Sequence, residues 1–288
     1  MELAFIGTGI MGAPMARRLL RASHHLRVFN RTLEKARPLA SEGAYLASTA
    51  ADAASAADII FIMVPDTPDV ASTIAAITPS LRAGQLVIDM STISPRAERE
   101  IAARLKLLGV DYLDAPVSGG ETGAIEGTLT IMVGGDAPAL ERARPLLEHL
   151  GKRITHMGPS GAGQMTKLAN QIAVALTLEA AAEAIRFAEA GGLDAARVID
   201  AIGAGAAASW QLANLGPKII ARDWRAGFFV KLIRKDLRLV TDAARDSLIA
   251  LPGLALMSSM FNAAATLGHD LDGTQSVAAA LDTIASVK

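Results

Sequence analysis

An α/β protein, with a doubly wound, mostly parallel sheet in an N-terminal domain and an all-helical C-terminal domain, is predicted by three observations. Short apolar, β-rich runs alternate with helical patterns up to residue 161. A glycine-rich turn, GTGIMG at 7–12, directly follows the first of these runs. After Gly163 the β-rich runs stop and alanine-rich helical patterns take over. Alternation of the first kind builds a parallel sheet covered by helices, whereas helices alone pack on one another. The division is therefore expected at 1–161 and 162–288, with a helix over 164–190 leading out of the first domain.

Strands are expected at 3–7 (LAFIG), 26–29 (LRVF), 59–64 (IIFIMV), 85–90 (QLVIDM), 112–117 (YLDAPV), 128–134 (TLTIMVG) and 153–158 (RITHMG). The early ones are apolar at successive positions, as strands buried on both faces are. GAPMARRLLRA, from Gly12, reads as the first helix, and Pro14 is tolerated in its first turn. DAPALERARPLLEHLG reads as another, with Asp136 placed to cap it and Pro138 just inside. Leu168, Ile172 and Leu176 recur at helical spacing in a segment that ends on Gly191 and Gly192. Further helices are separated by breaks at 203–209, at Gly216 and Pro217, at Pro252 and Gly253, and at 268–273.

Composition narrows the function classes. Residues AVILMFWYC make up 51% of the 288 residues and charged residues 20%, which describes a compact chain with a sizeable core. A net charge of -1 with no long basic run gives no support for nucleic acid or an anionic membrane as partner. Cysteine is absent, which excludes disulfides, thiolate nucleophiles and cysteine-ligated zinc. The chain opens on LAFIG without a charged segment and apolar core of a leader, and runs such as IIFIMV are far too short to span a bilayer. A cytoplasmic location is the expectation. GHDLDG at 268–273 lacks the ligand spacing of a calcium loop, so no metal is expected there.

GTGIMG fits the G-x-G-x-x-G pattern of dinucleotide-binding Rossmann domains. Gly7 allows the tight turn, Gly9 lets backbone approach a pyrophosphate, and Gly12 permits close helix–strand packing, with Thr8, Ile10 and Met11 between them. The helix start that follows offers N–H groups and a positive dipole end to phosphates; a purely structural glycine turn is the alternative. The second strand ends in FNRT. An acidic residue there would accept from the ribose 2′-OH of NAD, whereas Asn30, Arg31 and Thr32 suit the 2′-phosphate of NADP; an arginine that is simply exposed is the alternative. NADP(H) is the expected cofactor, with NAD(H) possible.

DAPVSGG, at 114–120, follows a strand and can turn Ser118 Oγ and the amides of Gly119 and Gly120 toward an anion, although a structural turn explains it equally well. In GQMTKLANQ, at 163–171, Lys167 has Gly163, Gln164, Asn170 and Gln171 one helical turn away, and none is a carboxylate. It also falls near a helix start, where the macrodipole disfavours a cation. A solvated surface lysine is the plain reading of such a residue.

FIGTGIMGAPMARRL, DAPVSGGETGAIEGTL, GAGQMTKLANQ and KLIRKDLRL together resemble the β-hydroxyacid dehydrogenase family over nearly the whole chain. The resemblance is strongest to the tartronate-semialdehyde reductase (2-hydroxy-3-oxopropionate reductase) branch, with 3-hydroxyisobutyrate dehydrogenases beside it. It implies an oxidoreductase with a helical domain used to form homodimers or homotetramers. It implies Lys167 as general acid/base, and Ser118, Gly119 and Gly120 as holders of a substrate carboxylate. Thr92 and Lys235 would lie by the nicotinamide, and Val64 and Pro65 by the adenosine ribose and pyrophosphate. Several relatives carry asparagine four residues after the lysine, where this chain has Gln171 after Asn170; either amide can orient substrate. A lysine desolvated in a closed cleft has its pKa lowered toward a value useful in acid catalysis.

The expected reaction is hydride transfer between NADP(H) and a small 3-oxo or 3-hydroxy acid, foremost tartronate semialdehyde to glycerate. 3-Hydroxyisobutyrate or another β-hydroxyacid is the alternative substrate. Decarboxylating sugar-phosphate relatives have a larger helical domain, and imine reductases replace the lysine. A non-catalytic dinucleotide-binding module is disfavoured by the presence of Lys167, Ser118 and the paired amides.

Overall fold

The computed structural model describes residues 1–285, and its contacts form two compact units that meet between Lys167 and Leu168. The first unit alternates strand and helix. It opens with β1 (Glu2–Ile6), α1 (Gly12–Arg21), β2 (His25–Phe29), α2 (Arg37–Ser41), β3 (Tyr45–Leu46), α3 (Ala50–Ser55), β4 (Ile59–Ile62) and α4 (Thr67–Ile77). It continues with β5 (Leu86–Asp89), α5 (Pro95–Lys106), β6 (Asp111–Asp114), β7 (Val117–Ser118), α6 (Gly120–Glu126), β8 (Leu129–Gly135), α7 (Ala137–Leu147) and β9 (Gly151–Gly158). The strands form one sheet in the order β3-β2-β1-β4-β5-β6-β8-β7, with β9 also on β8. Pairing is parallel from β3 to β6 and between β8 and β9, and antiparallel where β8 meets β6 and β7.

Alternation along the strands explains why both faces are covered. Leu3, Phe5, Ile59, Phe61, Leu86 and Ile88 fall in one buried cluster with Met15 and Leu19 of α1 and Leu140 and Leu147 of α7. Their neighbours Ala4, Ile6, Ile60, Ile62 and Val87 fall in the other, with Ala53 of α3, Ile74 of α4 and Ile101 and Leu105 of α5. Successive side chains point to opposite faces, so a strand apolar throughout serves two helical layers. The fold class read from the sequence is the one observed.

Some local expectations change. The run 112–117 is two strands: β6 ends its parallel pairing with β5 at Asp114, and the chain resumes at Val117 as β7, antiparallel to the same β8 that already pairs β6 at Leu113 and Asp114. Pro116, which has no N–H to give a ladder, sits at the break and only accepts, from Met132 N at 3.0 Å. Asp136 occupies the N-cap of α7 but makes no side-chain capping bond; its carboxylate lies 3.7 Å from Lys106 Nζ. The short edge strand β3 carries too few residues for any periodicity to show.

The remaining helices are α8 (Ala162–Ala190), α9 (Ala195–Gly203), α10 (Trp210–Asn214), α11 (Gly216–Ile220), α12 (Val230–Asp246), α13 (Pro252–Thr266) and α14 (Val277–Ile284). From Leu168 onward α8 belongs to the second unit, whose core gathers Leu178, Ile185, Ile233, Leu237, Met257, Phe261 and Val277 from four of these helices. By length and apolar content alone α8, at 29 residues, would suffice to cross a bilayer, which no short apolar run of the sequence does. Its Ala175–Leu178–Ala182–Ile185 face is packed in that core instead.

Candidate active site

The turns that leave β1, β2, β4 and β5 lie side by side at the carboxyl edge of the parallel sheet, because those strands are neighbours in the order β2-β1-β4-β5. β1 sits where the strand order reverses direction, the place where open α/β sheets bind ligands. Cross-links hold the turns to one another. Gly7 N donates to Phe29 O at 2.8 Å, Met63 N to Ile6 O at 2.9 Å and Met90 N to Ile62 O at 2.8 Å. Asn30 Oδ1 accepts from Thr8 N at 3.0 Å while its Nδ2 donates to Thr32 O at 2.9 Å. Val64 N donates to Ser91 Oγ at 3.0 Å, tying the Val64–Pro65 turn to the loop that carries Thr92.

The three motif glycines do different things. Gly7 has φ of 100°, and a Cβ there would lie 2.1 Å from Met63 O. On Gly12 a Cβ would lie 1.9 Å from Gly7 O, so α1 can start against the turn only without a side chain. On Gly9 a Cβ would meet no protein atom within 4 Å. The protein therefore has no packing use for a bare Gly9, and the space beside it is free for a ligand. The amides of Gly9, Ile10, Met11 and Gly12 precede the first intrahelical bond, from Ala13 N to Gly9 O at 2.9 Å, and present donors at the positive end of α1. Thr8 Oγ1 is buried in the same turn with no partner among the described residues. Donors, bare backbone and an orphaned hydroxyl fit a dinucleotide's phosphates.

Arg31 extends into solvent, its side chain 87% exposed, with Nη1 3.2 Å from Asp69 Oδ1. Ser118 is on β7, where it pairs with Thr130. Gly119 and Gly120 follow with φ of 132° and 63°, a bend that residues with side chains resist. Lys167, the sixth residue of α8, is only 8% exposed. The solvated-surface reading of Lys167 does not hold.

Behind the Thr92 loop is a buried polar network that the sequence reading did not single out. Asp114 Oδ1 accepts from Gly161 N at 2.7 Å and Oδ2 from Gln164 N at 2.9 Å, which satisfies amides at the start of α8. Gln164 Nε2 donates to Ser91 O at 2.8 Å and to Glu98 Oε1 at 2.7 Å, and its Oε1 accepts from Ile93 N at 3.2 Å. Tyr112 OH donates to Glu98 Oε2, and Ser91 N to Asp89 Oδ1 at 2.9 Å. Burial, then the carboxyls of Asp89 and Asp114 beside it, hold Glu98 well above the ordinary carboxyl range. Burial pushes Asp89 up to about 6, and raises Asp114 against the pull of the amides it accepts from. The signal for Glu98 was present: with Ile101 and Leu105 it lies on the buried stripe of α5, where a carboxyl is out of place.

In the second unit Asn170 Nδ2 donates to Gln171 Oε1 at 2.8 Å, and Gln171 Nε2 donates to Asp236 Oδ2 at 2.5 Å. Lys235 Nζ lies 2.7 Å from Asp236 Oδ1. Both ends of the Gln171 amide are thus engaged by protein, and reversing it would set oxygen against the Asp236 carboxylate. Asp236, next to Lys235 in RKDL, is a residue that sequence reasoning missed.

A parallel sheet with a phosphate-ready turn at its switch point, followed by a buried lysine on a long helix, defines a nicotinamide-dinucleotide-dependent oxidoreductase. Comparisons with known proteins agree. The profile of the NAD binding domain of 6-phosphogluconate dehydrogenase matches residues 2–158, and that of the NAD-binding domain of NADP-dependent 3-hydroxyisobutyrate dehydrogenase matches 161–280. The 2-hydroxy-3-oxopropionate reductase of Escherichia coli is 45% identical over 291 residues, covering 100% of this chain and 99% of that protein. The NAD-dependent L-serine dehydrogenase of Pseudomonas aeruginosa is 40% identical over 274 residues, covering 90% and 91%. The structure of Mycobacterium tuberculosis 3-hydroxyisobutyrate dehydrogenase with L-serine superposes with a TM-score of 0.90 at 35% identity, covering 98% of each chain. The chain belongs to the β-hydroxyacid dehydrogenase family, and is an NAD(P)-dependent oxidoreductase acting on a CH–OH group.

Proposed function

We propose that this chain reduces a three-carbon 3-oxo acid with NADPH, tartronate semialdehyde to glycerate being the leading pair. The observation that carries the chemistry is a lysine buried to 8% exposure near the start of α8. Support for the substrate class comes from the relatives, whose named substrates include 2-hydroxy-3-oxopropionate, 3-hydroxyisobutyrate and L-serine. All are short acids with oxygen on the third carbon. The reduced nicotinamide supplies a hydride to that carbon. Lys167 Nζ gives a proton to the carbonyl oxygen as negative charge develops there. Ser118 Oγ and the amides of Gly119 and Gly120 hold the carboxylate. Asn170 orients the substrate, because Gln171 is already engaged at both ends and serves to steady Asn170 and Asp236. Lys235 is held by Asp236, whose Oδ1 lies 2.7 Å from its Nζ, and the family resemblance gives Lys235 and Thr92 each a role toward the nicotinamide.

For the cofactor, the absence of an acid at the end of β2 favours NADP(H), with Arg31 extended and able to meet a 2′-phosphate. A homodimer or homotetramer is supported by the exposed, mostly apolar stripe Ala169, Ala173, Leu176, Ala180 and Phe187 along α8, which Glu183 alone interrupts. The test is oxidation of NADPH and NADH by the purified chain across tartronate semialdehyde, 2-methyl-3-oxopropionate and propanal. We expect the acids to be strongly favoured and NADPH to be preferred. Propanal reduced as well as the acids, or NADH preferred, refutes the corresponding part.

A further inference from the structure

We infer that Gln164, held in place by Glu98, is a positioning residue that locks the loop carrying Thr92 to the helical turn carrying Lys167. The inference rests on the proposed roles of Lys167 as proton donor and Thr92 as a neighbour of the nicotinamide. The Gln164 amide straddles Thr92: it donates to Ser91 O at 2.8 Å and accepts from Ile93 N at 3.2 Å, the backbone groups on either side. Lys167 follows three residues later on the same helix, one turn along and on a neighbouring face. One side chain therefore sets the register between the loop after β5 and the first turns of α8.

Glu98 gives that clamp its direction. Its Oε1 accepts from Gln164 Nε2 at 2.7 Å, and its Oε2 accepts from Tyr112 OH. With the Gln164 amide reversed, its oxygen would face both Ser91 O and Glu98 Oε1, and Ile93 N–H would lose its acceptor. Gln164 and Glu98 are each fully buried, so water does not compete for these bonds. Burial, then Asp89 and Asp114 alongside, raises Glu98 well above the ordinary carboxyl range, which favours its neutral form, so a neutral side chain of the same shape can serve the clamp. Asp114, bonded to Gly161 N and Gln164 N, fixes the same helical turn from below.

Such a device matters because hydride and proton go to the two ends of one C=O bond. Misplacing one donor by about 1 Å can cost about 10²-fold in rate.

The experiment compares Gln164→Met, Glu98→Gln and Glu98→Ala with wild type, using kcat, NADPH affinity by fluorescence titration, and NMR amide exchange of the cofactor-free protein. For Gln164→Met we expect Ile93 N–H to exchange at least ~10-fold faster with β1 and β4 amides unchanged, and kcat to fall ~30–100-fold with NADPH Kd within ~3-fold. Glu98→Gln, a neutral isostere, should keep kcat within ~3-fold, whereas Glu98→Ala should resemble Gln164→Met. If Gln164→Met is insoluble, Gln164→Asn, whose amide is one methylene short of the loop, carries the same expectations. The inference is overturned if Ile93 exchange is unchanged, if kcat stays within ~3-fold, if kcat and NADPH affinity fall together, or if Glu98→Gln is as damaged as Glu98→Ala. Failure of the underlying functional reading looks different: Lys167→Ala would remain active, while the Ile93 exchange result would still report on the clamp.

Discussion

Replacing Gly9 by alanine separates the cofactor role of the glycine turn from its structural role. The added methyl meets no protein atom within 4 Å, and Gly9 is not among the positive-φ glycines. Its effect on stability should be within about 0.5 kcal/mol, or slightly favourable through a stiffer unfolded chain. A pyrophosphate lying against the bare backbone would meet that methyl. Overpacking by one methyl costs about 1–3 kcal/mol, which is a ~5- to 150-fold rise in Kd. Gly12→Ala is the control, because its Cβ would lie 1.9 Å from Gly7 O and 3.0 Å from Phe5 Cε1. Backbone must move there, at a cost of about 1–3 kcal/mol or more, seen as a fall in Tm of roughly 2–12 °C. The assay is a thermal melt without cofactor beside a fluorescence titration with NADPH. If Gly9→Ala binds NADPH as tightly as wild type, or melts as low as Gly12→Ala, the space beside Gly9 is not a pyrophosphate site.

Other outcomes follow from the same geometry. Lys167→Ala should lower kcat by ~10²–10⁴-fold with NADPH affinity little changed, and Lys167→Arg should also be poor because guanidinium releases no proton near neutral pH; near-normal turnover of the folded variant would end its role as acid. Arg31→Ala should weaken NADPH by ~10-fold, the low end for a charge-assisted bond at so exposed a side chain, and leave NADH unchanged; equal loss for both cofactors contradicts this. Ser118→Ala should raise KM for semialdehyde acids more than it lowers kcat, and an unchanged KM would count against carboxylate binding there. Stability should fall as pH rises from about 4, because Asp89 at about 6 and Glu98 above the usual range keep protons in the folded state that the unfolded chain has released. Asp89 alone accounts for up to about 3 kcal/mol of this, complete above pH 6. Glu179, pushed up to about 7 by burial, adds the same slope to wild type and variant alike. Glu98→Gln should therefore lose less Tm than wild type between pH 5 and pH 9, and parallel curves would show that Glu98 does not titrate there.

Local physics makes part of this protein legible from its residues. Strands buried on both faces must be apolar throughout, so β1, β4 and β5 declare themselves, and a helix that starts against a turn must lack a side chain at Gly12. Lys167 could be placed near a helix start, and Gly7 and Asn30 at strand ends that lead into turns, because turn chemistry and helical spacing act over a few residues. Which turns become neighbours is a matter of strand order, and that is decided by packing. The burial of Lys167, the engagement of Gln171 by Asp236 across 65 residues, and the bonds of Gln164 to Ser91 and Glu98 across 73 and 66 residues arise only when distant segments meet. A buried polar group must find partners wherever the fold supplies them, and no periodicity in the sequence records who those partners are. Glu98 shows the division within one residue: its place on the apolar stripe of α5 marks it as unusual, but only the closed core around it supplies its partners Tyr112 and Gln164, and the burial and neighbouring acids that raise its pKa.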